Sequence, residues 1–269
     1  MSVRKLTKGF TLIEMVVAIA ISGVVLTFAA MFITAPVDAY EAQSRRARLA
    51  ADAGTAWPRM QQDLRAALPN SVRWARNGRY VVLEMLETRG YARYVTPPAA
   101  SFDVAGTSRG IFGTAQIGDT LNDVHLSVNN AGQEAYTQSV SMTPALDLTL
   151  AVNGVANQAR LSGVPLINDD SPRSRVYLVD GFVAYLCDEV LGTMTRYSGP
   201  AIVANVATHN VPGGFGGAAS EVVARGLARC DFGERRDANL PQLVTVRLTT
   251  SRNGEILTLL HQAALEHLP

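Results

Sequence analysis

From Phe10 to Ile33 the chain carries one charged side chain, Glu14, in an otherwise apolar run. At roughly 1.5 Å per residue, the uncharged part from Met15 to Ile33 is just long enough to cross the hydrocarbon core of a bilayer. Arg4, Lys5 and Lys8 crowd ahead of it with no acidic residue among them. That asymmetry belongs to a segment inserted with its amino terminus on the cytoplasmic side. An ionisable group inside such a run costs on the order of 3 kcal/mol and marks a function with a partner. Glu14 therefore needs a reason.

Three kinds of segment share this layout: a removable signal peptide, a plain anchor, and an anchor that is also an assembly element. A signal peptide would have a shorter apolar stretch, no acid at its start and a small-x-small cleavage site after it. Ile33-Thr34-Ala35 is a poor site because Pro36 follows directly. The plain anchor accounts for the length and leaves Glu14 unexplained.

Gly9-Phe10-Thr11-Leu12-Ile13-Glu14, set between a short basic leader and an apolar helix, resembles the amino-terminal signal of type IV pilins and of the pseudopilins of type II secretion. The resemblance implies that a prepilin peptidase cuts between Gly9 and Phe10 and that Phe10 is then N-methylated. It also implies an inner-membrane precursor with a single span and a periplasmic head, later moved into a filament at the cell surface. The implied partners are other major and minor pilin subunits, the prepilin peptidase, the inner-membrane assembly platform and, before assembly, membrane lipid. On this reading the new amine at Phe10 of one subunit meets Glu14 of a neighbour. At about 4 Å and an effective dielectric near 20, such a pair gains roughly 4 kcal/mol before desolvation costs. A competing internal reading has Glu14, one turn beyond Phe10, neutralising its own amine at a helix start.

Beyond the apolar run, Pro36 removes a backbone donor and is expected to bend the helix without necessarily ending it. The stretch AYEAQSRRARLAADAG is rich in helix formers and poor in large apolar residues, as a solvated or subunit-facing helix would be. Its Arg45, Arg46 and Arg48 read as a solvated face or a contact with lipid headgroups, with DNA contact as the sharper alternative. Gly54-Thr55 permits a break and Pro58 suits the first turn of a restarted helix. Trp57, Met60, Leu64 and Leu68 then form one apolar stripe, and Leu68-Pro69 closes the pattern.

After Pro69 the pattern changes to β-rich runs: YVVLEML, YARYVT, VHLSV, LDLTLAV, RVYLVD, FVAYLCD, AIVANV and LVTVRLTT. Val244, Val246 and Leu248 alternate with Thr245, Arg247 and Thr249, and Asn253-Gly254 before EILTLLHQ predicts a tight hairpin with positive φ at its turn. The expected fold class is α+β and pilin-like: a long amino-terminal transmembrane helix, kinked near Pro36, packed on an antiparallel β-rich head. The expected divisions are a leader at 1–9, a transmembrane and assembly half at 10–35, a periplasmic half at 36–68 and the head at 69–269.

Cys187 and Cys230 are the only two cysteines, and neither lies in a Cys-x-x-Cys pair. Outside the cytoplasm they would form one disulfide, worth about 4 kcal/mol in a chain-entropy account; otherwise they are two buried thiols. The segments Arg175 to Ile202 and Leu243 to Pro269 resemble the heads of minor pilins from the biogenesis system of the mannose-sensitive haemagglutinin pilus, and Gln43 to Arg73 resembles the stretch leading into those heads. The region from about Pro97 to Leu166 carries less of the likeness. That resemblance implies a low-copy subunit that initiates or caps a filament and serves cell adhesion, with Cys187 and Cys230 bridged across a Gly-rich loop. A minor pseudopilin of type II secretion is the nearest rival. A membrane-anchored periplasmic binding module that keeps its leader is a rival of another class.

Enzyme chemistry finds no support. VPGGFGGAAS, Val211 to Ser220, lacks the lysine followed by Ser or Thr of a phosphate-binding loop and reads as a mobile surface loop. His125, His209, His261 and His267 are dispersed, without zinc-ligand spacing, and no Gly-x-Ser-x-Gly elbow occurs. No cofactor is expected. Asp169 and Asp170, within Asn168-Asp169-Asp170-Ser171, are a weak calcium candidate, since the alternating ligands of a calcium loop are missing. The net charge of +1 provides no broad basic field for nucleic acid.

Overall fold

The computed structural model describes residues 9–107, 110–130, 132, 134–138, 141–165, 171, 173–237, 240–252 and 254–265, apart from the side chains at 33–35, 38, 236, 237, 240 and 241. The chain divides into two compact units, Met1–Arg48 and Leu49–Pro269. Helix α1 spans Leu12–Gly54 and continues through Pro36. Gly54 and Thr55 end it, and α2 restarts as Trp57–Ala66 with proline in its first turn, where the missing N–H costs no intrahelical bond. The layout is an apolar amino-terminal helix followed by a β-rich head.

Among the described residues the head holds thirteen strands: β1 (Arg73–Asn77), β2 (Tyr80–Tyr94), β3 (Ser101–Ala105), β4 (Thr120–Ser127), β5 (Leu146–Thr149), β6 (Ala151–Val152), β7 (Gln158–Ser162), β8 (Arg175–Asp188), β9 (Thr193–Gly199), β10 (Ala219–Arg225), β11 (Leu227–Asp237), β12 (Leu240–Arg252) and β13 (Glu255–Leu265). Ten form one sheet, in the order β10-β9-β8-β2-β3-β7-β6, with β1 beside β2, β4 beside β8 and β5 beside β4. The other three form a separate sheet, β11-β12-β13. Every pairing is antiparallel.

The longest ladder joins β2 to β8, from Tyr80↔Asp188 to Arg93↔Arg175. Both strands are apolar on both faces, as strands covered on two sides must be. On one face, Val81, Leu83, Met85, Val183 and Tyr185 meet Met60 and Leu64 of α2, with Val244, Val246 and Leu248 of β12 beyond. On the other, Val82, Leu86, Phe182, Ala184 and Leu186 meet Tyr136, Phe215 and Leu68. The apolar stripe thus divides: Met60 and Leu64 fill the layer between the sheets, whereas Leu68, beyond the helix end, joins the opposite core.

Several expectations are corrected. YVVLEML and YARYVT are one strand, β2, and RVYLVD and FVAYLCD are one strand, β8. Register shifts at Glu87/Thr88 and Thr88/Gly90 absorb the irregularity between them. Gly181, at φ +149, faces the carbonyl of Gly199 so closely that a Cβ would overlap it, so the glycine bends β8 without ending it. AIVANV is not a strand. Two of its carbonyls, those of Val203 and Ala204, accept from the Arg73 guanidinium at 2.7 Å each, which replaces ladder partners. Val211 to Ser220 lies at the surface but is anchored: Pro212–Phe215 is a 3-10 helix, Phe215 is buried and stacks on Tyr197 at 3.8 Å, and Ala219 begins β10.

Two clusters of charge in the core are paired. Arg73 and Glu84 meet at 2.9 Å, and the second Glu84 oxygen lies 3.2 Å from His209 Nδ1. Asp63 of α2 accepts from the Tyr185 hydroxyl at 2.5 Å and from Arg196 Nε at 2.6 Å. Burial, then the hydrogen bond to Asp63, pushes the Tyr185 phenol well above its ordinary range, so it stays a donor. Removing one partner of a buried pair leaves the other charge uncompensated. Asp63→Ala should therefore lower the unfolding free energy by about 3–5 kcal/mol, measured by chemical denaturation, whereas Arg59→Ala, at the exposed end of the same cluster, should cost under about 1 kcal/mol.

Candidate processing and assembly segment

Gly9 and Phe10 precede the first helical residue, and Phe10 is 86% exposed. The Gly9–Phe10 bond lies in open, non-helical chain, the state a protease needs. A Cβ at Gly9 would meet nothing within 4 Å. The fold itself does not require glycine there.

Thr11 caps α1. Its Oγ1 accepts from Glu14 N at 3.3 Å, while Glu14 Oε2 accepts from Thr11 N and from Thr11 Oγ1, each at 3.2 Å. This is a capping box, in which a cap hydroxyl and an acid three residues on satisfy each other's free amides. The carboxylate also faces the positive end of the helix dipole. The Thr-x-x-Glu spacing before an apolar run is the sequence signal for it, and the reading of Glu14 from charge alone passed over Thr11. Glu14 thus has a partner within its own chain.

From Leu12 to Phe32 the helix has a mean hydropathy of 2.5 and is unburied, which makes it long and apolar enough to cross a membrane. Its hydroxyl at Thr27 donates to Gly23 O at 2.8 Å, so this polar group needs no water. Ile13, Val17, Val24, Phe28 and Phe32 all lie exposed. In water such a surface is a liability of many kcal/mol at about 25 cal/mol per Å²; lipid or neighbouring helices remove it. Farther along, Arg45 pairs with Glu41 at 3.5 Å on an exposed helix face.

In the head, Cys187 of β8 and Cys230 of β11 are joined by a disulfide that ties the two sheets together, with Cα atoms 6.4 Å apart. Asp169 and Asp170 lie outside the described residues, as do Asn168 and His267. Ser171 bonds through its backbone to the Tyr94 hydroxyl. His125 contacts the Thr143 carbonyl at 3.0 Å, and His261 stacks on Trp57 at 4.5 Å. Among the described residues, no group of three or more His, Cys, Asp or Glu side chains is placed to hold a metal ion.

A chain with a membrane-length apolar helix, an acid capping its first turn and an accessible Gly-Phe bond before it has the parts of a processed, assembling membrane subunit. Residues 4–30 match the family described as the prokaryotic N-terminal methylation motif, the type IV prepilin-type signal. The motif indicates a type IV pilin-like or pseudopilin protein, anchored in a membrane through this helix and processed by a prepilin peptidase. Neither curated proteins nor solved structures match the chain.

Thr11→Val should cost about 1 kcal/mol of local helix stability by removing the cap. Amide hydrogen exchange in detergent micelles should quicken at Ile13 and Glu14 and stay unchanged at Val24.

Proposed function

We propose that the chain is the precursor of a minor subunit of a type IV pilus of the mannose-sensitive haemagglutinin type, most like the minor pilin MshO, and that it acts by assembly and not by catalysis. The precursor spans the inner membrane once with its head in the periplasm. Prepilin peptidase cuts after Gly9 and methylates Phe10, and the helix then leaves lipid for a filament of neighbouring helices, where the subunit initiates or caps the pilus. The observation that supports this reading is the methylation motif on a helix whose exposed apolar segment, Leu12–Phe32, has one acid, in the first turn.

Cleavage changes what Glu14 faces. In the precursor it holds the amide and hydroxyl of Thr11; in the mature chain a cationic amine appears one residue before Thr11. A carboxylate within a capping box keeps lone pairs free, since each oxygen accepts more than one bond. It can therefore stay on its own helix start and also receive the amine of a neighbouring subunit. Subunits out of register would leave both charges unpaired in an apolar core, so the pair acts more on specificity than on net affinity.

Mass spectrometry of the mature amino terminus should find N-methylated Phe10 and no trace of residues 1–9. Intact chain recovered from cells that contain the peptidase would overturn the reading. Glu14→Ala should be inserted and cleaved normally yet enter filaments poorly, and normal incorporation would remove the pairing role. Deleting the gene should abolish surface pili; loss of exoprotein release instead would assign the subunit to a type II secretion pseudopilus.

A further inference from the structure

β13 is an open edge. Its inner side pairs with β12 continuously from Arg252↔Glu255 to Gln242↔Leu265, and among the described residues no strand pairs on its outer side. In a hairpin closed by a two-residue loop, the flanking pair exchanges hydrogen bonds, so Glu255 and every second residue after it direct N–H and C=O toward β12. Ile256, Thr258, Leu260, Gln262 and Ala264 consequently direct theirs outward. The result is an unbroken row of backbone donors and acceptors.

Sheets guard such rows with charges, prolines or bulges, because an unguarded edge is a template for another chain. The two edges of this sheet differ. β11 carries Arg229, Asp231, Glu234 and Arg235 and breaks register twice. β13 has one charged residue, Glu255 beside the turn, no proline and no register break, and it leaves Ile256 71% and Leu260 55% exposed. Beside its last residues, Gln262 to Leu265, a groove of about 500 Å³ opens against Gln61, Leu64 and Arg65 of α2. Arg65 is exposed in the last turn of α2, and among the described residues no carboxylate lies within ion-pairing distance of it.

We propose that the groove between β13 and α2 binds an extended segment of a partner polypeptide, which adds to the sheet as a fourth strand and sets a carboxylate against Arg65. Main-chain bonds to the five outward residues supply affinity without sequence preference, and the side chains on either side of the new strand supply the choice. One row enters the groove over Leu64 and Ala263; the other lies alongside Ile256 and Leu260. The row in the groove asks for apolar residues, the outer row accepts threonine beside Thr258 and Gln262, and Arg65 rejects a basic residue at the end that reaches it. This site is separate from the amino-terminal processing segment and does not depend on it.

The test uses the full chain in detergent micelles and a fluorescein-labelled peptide that alternates Val and Thr and ends in Asp, followed by anisotropy. Saturable binding is expected, weaker by roughly tenfold when Lys replaces the terminal Asp, with the preference reversed in Arg65→Glu. N-methylating alternate peptide amides should abolish binding in one parity and spare it in the other, because only one set of amides faces β13. The peptide series needs no change to the protein, so a misfolded variant cannot imitate the result. Absence of saturable binding, equal response to both methylation parities, or indifference to the terminal charge would each overturn the proposal.

Discussion

The head is organised by one pairing, β2 on β8, whose two faces are both too apolar to leave in water. A two-stranded ribbon of that kind cannot stand alone. One face takes α2 with the small sheet behind it, and the other takes Leu68, Tyr136 and Phe215. Glu84, in the middle of β2, is the exception that fixes the surroundings. Fully buried, it obliges Arg73 and His209 to come to it. Arg73 in turn takes the carbonyls of Val203 and Ala204 and lies over the Tyr136 ring at 3.4 Å. A single buried acid thereby orders chain more than a hundred residues away.

The amino-terminal unit answers to a different solvent. Its apolar length is unburied, its Thr27 hydroxyl is satisfied internally and its Thr11 and Glu14 amides are met by its own side chains. A helix capped in this way exposes fewer unsatisfied backbone groups at its start when it moves between lipid and a bundle of like helices.

Features set by local chemistry were legible in the sequence. The apolar run, the break at Gly54-Thr55, the restart at Trp57 and the strands flanking Asn253-Gly254 all follow from propensity, hydropathy and turn residues. Gly254 has φ +80, as the hairpin required, while Asn253 lies outside the described residues. β1, β3, β7, β9, β10 and β11 were not read, because their residues are mixed in polarity and most of them are short. Ala201 to Val206 misled for the opposite reason: it has strand-like composition, and only the distant Arg73 explains why it has no ladder. Phe215 was hidden among glycines, and its burial depends on Tyr197 and His209, which sequence proximity does not join. At the processing segment, charge drew attention to Glu14, whereas its hydrogen-bonded partner Thr11 is uncharged and was overlooked.

The connection between β9 and β10 is held from beneath by Arg73, by Asn205 capping its first short helix and by Phe215. Its outward positions, among them Ala207, Thr208, Pro212 and Gly213, face solvent. Anchorage and display are thus assigned to different residues. Such a crest can be recoloured by mutation, altering what the outside world meets, while the hidden fastenings keep its shape.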